Sequence, residues 1–290
     1  QKRRLLAFAI VGGGVTGVEV AAELIEMARE TLLPRYASLH ASHLSVRVLE
    51  GADRLVPAAR PEHSAYIRRH LERRGVEIEL GARAVRVEPR RVHVEDGRTF
   101  EAFTIVWTAG VRPPDLVRSL PLAHARDGRV RVDPYLRALG EDGRAREDVF
   151  VIGDCAASER PDGALQPQLS QTAIAMGTHV GETLVREARG LPARPFRFHD
   201  AGYIISLGKH SSVLELFGIP LSGRLAWLAW AAAYLIKMVG LRKQIEVGLD
   251  HLTHLVFEHD TSQILARRAV LGDDEIDLAL GDAGAAGESV

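Results

Sequence analysis

The chain has 290 residues, enough for two medium domains, and at 46% hydrophobic and 26% charged it has ordinary globular composition. Its 37 basic residues against 38 acidic ones leave a formal charge of -1, which gives no footprint of a nucleic-acid or general polyanion binder. One cysteine, Cys155, excludes an intramolecular disulfide, a paired-cysteine redox motif and a cysteine-based zinc site. No apolar run reaches the ~18 residues of a standard membrane-crossing helix, and no cleavable signal pattern follows the basic residues at 2–4.

Residues 6–11 form an apolar run that breaks into Gly12-Gly13-Gly14-Val15-Thr16-Gly17. Val18, Ala21, Ala22 and Ile25 then recur at helical spacing, and Pro34 ends or bends that helix. A second strand is expected over 44–49, ending at Glu50, then a helix over 60–74 closed by Gly75 and a third strand over 76–80. Short antiparallel strands are expected at 84–87, 91–94 and 99–101 around the Asp96-Gly97 turn, followed by a buried strand at 105–108. Strand and helix in alternation predict a parallel α/β unit. Beyond Gly110 the texture turns loop-rich, with Pro113, Pro114, Pro121 and Pro134. An apolar strand at 149–152 runs into Gly153-Asp154, a helix is expected over 168–187, and strands over 196–207. Twelve consecutive uncharged residues occupy 225–236, and the tail from 270 carries six acids and no base, which predicts mobility.

Gly12, Gly14 and Gly17 form a GxGxxG placed after a strand and at the start of a helix, the context a dinucleotide fingerprint needs. The first glycine permits the tight turn, the second lets backbone approach a pyrophosphate, and the third lets helix pack close on strand. The backbone N–H groups of Gly13, Val15 and Thr16 and the helix dipole would then face the phosphates. Glu50, at the end of the second strand, is the candidate for the adenosine ribose: a carboxylate there accepts two hydroxyl hydrogen bonds and repels a 2′-phosphate, favouring NAD over NADP. It lies 33 residues beyond Gly17, more than the usual ~20, which a long first helix and a loop through Pro34 account for. Arg54 nearby weakens that preference, and a solvated strand-end acid is the plainer alternative.

The stretches VGGGVTGVEVAAEL (11–24), VRVLEGADRLVP (46–57) and IVWTAGVRP (105–113) resemble the pyridine-nucleotide half of two-dinucleotide-binding flavoproteins. VFVIGDCA (149–156), the Gln-containing helix start at 166–177, YIISLGKHSSV (203–213) and LAWLAWAAAYLIKMVGLR (225–242) are similar to type II NADH dehydrogenases, the single-subunit NADH:quinone oxidoreductases. The resemblance spans roughly residues 5–265. Relatives of this kind open with their own GxGxxG for FAD, so the sequence is expected to lack about half of a FAD domain.

The resemblance implies two cofactors, NAD and FAD. It places Ala109 and Gly110 at the nucleotide, Gly153 and Asp154 at the ribityl chain of the flavin, and Gln171 and Thr172 at the helix start facing the flavin ring and quinone. Glu19, which by itself reads as a helix-start carboxylate stabilised by the dipole, would deliver protons at the nicotinamide–flavin junction. Lys209 would stand near the quinone end. Ala175-Met176 replaces the Gln-Gln pair often found before the following glycine, which puts the acceptor pocket in doubt. Cys155 reads as a small packed side chain, and no metal site is expected, His251 and His254 being spaced i,i+3 without a third ligand.

The expected architecture is therefore α/β: a Rossmann-like NAD-binding domain at 1–112, the C-terminal part of a FAD-binding domain at 113–200, a membrane-attachment region at 201–270 and an acidic flexible tail at 271–290. The partners implied are NADH, a membrane quinone, an anionic membrane surface and a second copy in a homodimer, with a peripheral location on the cytoplasmic face of the cell membrane and no nucleic acid. Residues 225–239 are expected to form a helix lying in the membrane plane with Trp227, Trp230 and Tyr234 on its lipid side and Arg224, Lys237, Arg242 and Lys243 bracketing it. The rival readings are a soluble flavoprotein reductase, of the ferredoxin- or disulfide-reductase kind, and a non-catalytic NAD-binding module.

Overall fold

Apolar runs separated by helical patterns build the expected parallel unit. The computed structural model describes residues 2–200 and 202–237, with side chains as far as Ala232. A one-turn helix α1 (Lys2–Leu5) leads into β1 (Ala7–Val11), the glycine turn and α2 (Val15–Glu26). A π-helical stretch (Met27–Leu32) and the short α3 (Leu33–Arg35) extend α2 before β2 (Ser45–Leu49), α4 (Pro61–Arg73) and β3 (Val76–Glu79). An antiparallel meander, β4 (Ala84–Glu88), β5 (Arg91–Val94) and β6 (Thr99–Glu101), precedes β7 (Thr104–Trp107). Strands β3, β2, β1 and β7 lie side by side in that order, all parallel. The chain leaves β1 toward both neighbours, so the carboxyl ends of β1 and β7 flank the crevice where open α/β sheets take their ligands.

Helix α2 buries Gly17, Val18, Ala21, Ala22 and Ile25, a face of mostly small residues that lets it lie close on the sheet. Helix α4 buries His63, Ser64, Ile67 and Leu71 against the same core as Ile10, Val46 and Val48. Pro34 does not end the first helix abruptly. It has no N–H to donate and its ring crowds the carbonyl four residues back, and the wider π turn ahead of it is the form such a conflict takes.

The next region is built of shorter pieces: α5 (Asp115–Arg118), β8 (Val130–Arg131), β9 (Arg137–Leu139), β10 (Ala145–Phe150), β11 (Ala156–Ala157) and α6 (Ser170–Ala188). The strand expected at 149–152 is displaced toward its N-terminal side. Pairing of β10 with β9 ends at Phe150, and Val151 instead donates its N–H to Leu136 O at 3.0 Å. Of the strands expected over 196–207, only β12 (Gly202–Ser206) forms; Phe196 is held by Pro134 O and packs edge-on against His179.

Strands β12, β13 (Ser212–Leu216) and β14 (Ile219–Gly223) form an antiparallel sheet, followed by α7 (Arg224–Lys237). This sheet is fused to the parallel-sheet region, because Ile205, Leu207 and Val213 share the core of Ile25, Ile67 and Leu71. Residues Gln1–Ala232 make one compact unit, and a second begins at Ala233. Among the described residues no helix is long and apolar enough to cross a membrane. The expected tail, and His251 and His254, lie outside the described residues.

Candidate functional site

Gly12 takes φ +106°, a value open to glycine, and an added Cβ would sit 2.9 Å from Ala109 N. At Gly17 a Cβ would lie 1.8 Å from Gly12 O, and at Gly13 it would lie 2.5 Å from a Leu55 methyl. Gly14 differs: nothing lies within 4 Å of where its Cβ would be, and its φ of -69° suits any residue. Three of the four glycines are thus demanded by the protein's own packing, and the fourth faces open space at the start of α2. No side chain caps that start, and Val15 and Thr16 on its first turn are exposed. Free backbone donors and a helix N-terminus facing open space suit a phosphate.

The turn is braced on both sides. Thr108 Oγ1 donates within reach of both Val11 O (2.9 Å) and Gly12 O (3.0 Å), and Val56 N–H donates to Gly13 O at 2.8 Å. Glu50 Oε2 accepts the Gly13 N–H at 2.6 Å, and Oε1 accepts the Ala52 N–H at 2.7 Å. The carboxylate therefore stands at the glycine turn and fixes it, and it takes up the Gly13 N–H that was expected to face a phosphate. Arg54 is directed elsewhere, donating to Pro57 O at 2.6 Å, so it does not neutralise Glu50. Ala109 and Gly110 (φ +81°) close the opposite wall after β7.

Glu19, one turn into α2, is half-buried and accepts the Ser206 N–H from β12 at 3.0 Å. Burial holds its carboxyl above the usual carboxylate range, although the Ser206 hydrogen bond pulls the other way. At the far end of β12, Gln171 Nε2 donates to Gly202 O at 3.3 Å and to Asp200 at 3.2 Å. One strand thus joins Glu19 to the start of α6. Lys209 is not brought to Glu19. Its Nζ lies 3.7 Å from Glu30 and its N–H donates to Glu26 at 2.7 Å, two helical turns farther along.

Gly153 (φ +64°) and Asp154 form the turn after β10, with Asp154 exposed and Cys155 half-buried. Beside them, Thr172 Oγ1 and Gln166 Oε1 are buried without a hydrogen-bond partner at the start of α6. An unmet buried oxygen costs about 1–3 kcal/mol, so this helix start offers polar groups to something that would bond them. Arg129 is nearly buried and ties the surroundings together, reaching Asp127 (2.7 Å), Gln166 O (3.2 Å) and Ala156 O (3.5 Å). Of the residues that shape the site, Thr108, Arg129 and Glu26 are not singled out in the sequence, whereas Gln166 opens the Gln-containing segment that is. Thr108 next to Ala109-Gly110 was the one with a visible signal.

Helix α7 forms where expected but with a different outward face. Ala226 is fully buried and fixes the roll of the helix, so Trp227 packs edge-on against His210 at 4.9 Å, while Leu225 and Leu228 are exposed. The aromatic spacing marks the inner side of the first turns, and leucines occupy the outer one.

The family model described as pyridine nucleotide-disulphide oxidoreductase matches residues 1–177. The type II NADH:quinone oxidoreductase Ndh of Mycobacterium tuberculosis is 32% identical over 261 residues, covering 86% of this chain and 54% of that protein. The internal alternative NAD(P)H-ubiquinone oxidoreductase A1 of Arabidopsis thaliana is 29% identical over 282 residues, covering 91% and 54%. The chain spans about half the length of the curated relatives it matches. Among solved structures, NDH2 from Plasmodium falciparum in complex with NADH superposes with a TM-score of 0.76 at 15% identity, covering 88% of this chain and 67% of that one. A NAD-dependent persulfide reductase from A. fulgidus gives 0.54 at 20% identity, covering 71% and 35%. These likenesses show a shared fold.

Proposed function

The chain belongs to the pyridine nucleotide-disulphide oxidoreductase family, and from that premise we propose that it carries the NADH-binding and distal flavin-binding parts of a type II NADH:quinone oxidoreductase attached to a membrane surface. The observation that carries the reading is the convergence on β12. The fingerprint helix reaches it through Glu19, and the helix whose buried oxygens lack partners reaches it through Gln171. The glycine turn would hold the pyrophosphate of NADH on open backbone N–H groups, and Glu50 would take the ribose hydroxyls and exclude a 2′-phosphate. Gly153, Asp154, Gln166 and Thr172 fit the edge of a flavin, since they present a backbone approach, a carboxylate and two unmet oxygens.

The chemistry a bound FAD would supply is hydride acceptance from the nicotinamide and onward electron transfer to a quinone. The protein's own contribution is orientation and protons. Glu19 holds a proton at higher pH than an ordinary carboxylate and sits against backbone that both halves share, so it is the group suited to supply one at that junction. Titration of the purified chain with NADH and NADPH, followed by flavin exchange and gel filtration, tests the reading. Saturable NADH binding, weaker NADPH binding and a flavin that stays below stoichiometric amounts are expected. Equal affinity for the two nucleotides, or no binding of either, would contradict it.

A further inference from the structure

Helix α4 presents Tyr66 and His70 at i and i+4 on one face, and Arg74 caps its C-terminal end. With Glu30, Lys209, His210, Ser211, Gly223 and Arg224 they line an open hollow of ≈370 Å³. The wall is polar: Ser211 Oγ lies 3.2 Å from Tyr66 OH and 3.4 Å from His70 Nδ1, and the Tyr66 and His70 rings stack at 6.0 Å. Three lining groups are fixed cations against one lining carboxylate, Glu30. Arg74 is bound by Glu26 at 2.7 Å, and Lys209 reaches Glu30 only at 3.7 Å, whereas Arg224 has no ion pair among the described residues. Arg224 also opens α7, whose next residues, Leu225 and Leu228, turn outward with 68% and 54% of their surface exposed.

We propose that this cavity takes the phosphate of an anionic phospholipid headgroup while the Leu225–Leu228 face lies among acyl chains. The inference deepens the surface attachment proposed above and rests on it. Charge and polarity are complementary in depth. A helix in the membrane plane buries its apolar face some 5–10 Å below the headgroups, and an arginine at its first position reaches the phosphate layer while its stem stays apolar. The Arg224 guanidinium and the loosely held Lys209 ammonium supply charge-assisted hydrogen bonds to phosphate oxygens, which neutral headgroups without net charge reward less. His210, wedged between the cavity and Trp227, ties the pocket to the helix that carries the leucines.

Sedimentation of the full chain with vesicles of phosphatidylcholine alone, and of phosphatidylcholine mixed with phosphatidylglycerol, tests the proposal. The variants are Arg224→Gln and, as a control, Arg69→Gln, which removes an exposed charge from α4 beside but outside the cavity. A diffuse attraction is worth about fivefold per basic residue close to the surface, whichever of these residues it is. The pocket predicts a loss of more than about tenfold for Arg224→Gln on the anionic vesicles, less than about twofold for Arg69→Gln, and no change in NADH affinity for either. Equal losses in the two variants overturn it. So does a ³¹P signal of inorganic phosphate that broadens with wild type and not with Arg224→Gln while vesicle binding is unaltered, since the site then serves a free anion. Wild type that binds neither vesicle overturns both the pocket and the surface attachment, and NADH titration of the same preparation judges the nucleotide reading separately.

Discussion

Around Gly12 the close contacts are backbone against backbone and every brace has its partner, whereas around Thr172 buried oxygens have none. The first region rests on a four-stranded parallel sheet with its helices packed over a continuous core. The second is assembled from strands as short as two residues, with Val111, Leu116, Ile152 and Ile174 exposed. A region whose braces are all met within the chain is a preformed site, and one with unmet buried side-chain oxygens is completed by what it binds. On the proposed function, that contrast separates nucleotide binding, which the chain's own packing would prepare, from flavin binding, which it would prepare only in part.

The largest effect should come from Gly17→Val. Its side chain has to displace the Gly12 carbonyl, so a loss of at least about 3 kcal/mol in urea unfolding is expected, together with loss of NADH binding. Unchanged stability would mean that the turn is not fixed by packing. Arg129→Met is the matching cut in the second region. Leaving two carbonyls without their donor should cost about 1–3 kcal/mol, yet NADH affinity should stay within about twofold if the nucleotide region stands alone. A collapse of both properties together would erase the distinction between the regions.

Glu50→Arg is a smaller and more selective change. NADH affinity should fall about tenfold and NADPH affinity should rise, as a carboxylate–hydroxyl contact is replaced by a cation facing the 2′-phosphate. Identical curves for the two nucleotides would leave Glu50 as a brace for Gly13 alone. The smallest effect is the pH dependence of Glu19. Its native pKa lies above the ordinary carboxylate value of 4.5, so between those two values the folded protein binds more protons than the unfolded one. Stability then declines as pH rises through that window. Glu19→Gln should flatten part of the decline in thermal melts, the remainder being due to Glu23, which burial, Glu26 and Glu19 push in the same direction. A slope unchanged by the substitution would remove Glu19 as a group that holds its proton.

The strand–turn–helix–strand arrangement was legible because each part is local: apolar residues 6–11, the spacing of Val18, Ala21, Ala22 and Ile25, and the run ending at Glu50 write their own periods. The contacts that make a site of it were not. The Glu19–Ser206 bond joins residues 187 positions apart, and the Glu26–Lys209 bond joins residues 183 apart, so no spacing rule could foresee either. The roll of α7 shows the same limit. Trp227 and Trp230 share a side by period, but which side turns outward is decided by the burial of Ala226, a tertiary fact. The fusion of β12–β14 to the nucleotide core was equally invisible, because Ile205, Leu207 and Val213 look like any short strand until their partners are known.

Gly14→Ala tests the preformed nucleotide site most directly. The added methyl meets nothing within 4 Å and the backbone angle already suits alanine, so unfolding should be unchanged or stabilised by up to about 1 kcal/mol. The same methyl occupies the space through which a pyrophosphate would approach the backbone, so the account predicts that NADH titration of this folded variant shows binding at least about tenfold weaker than wild type. A variant that folds normally and binds NADH as tightly as wild type would contradict it.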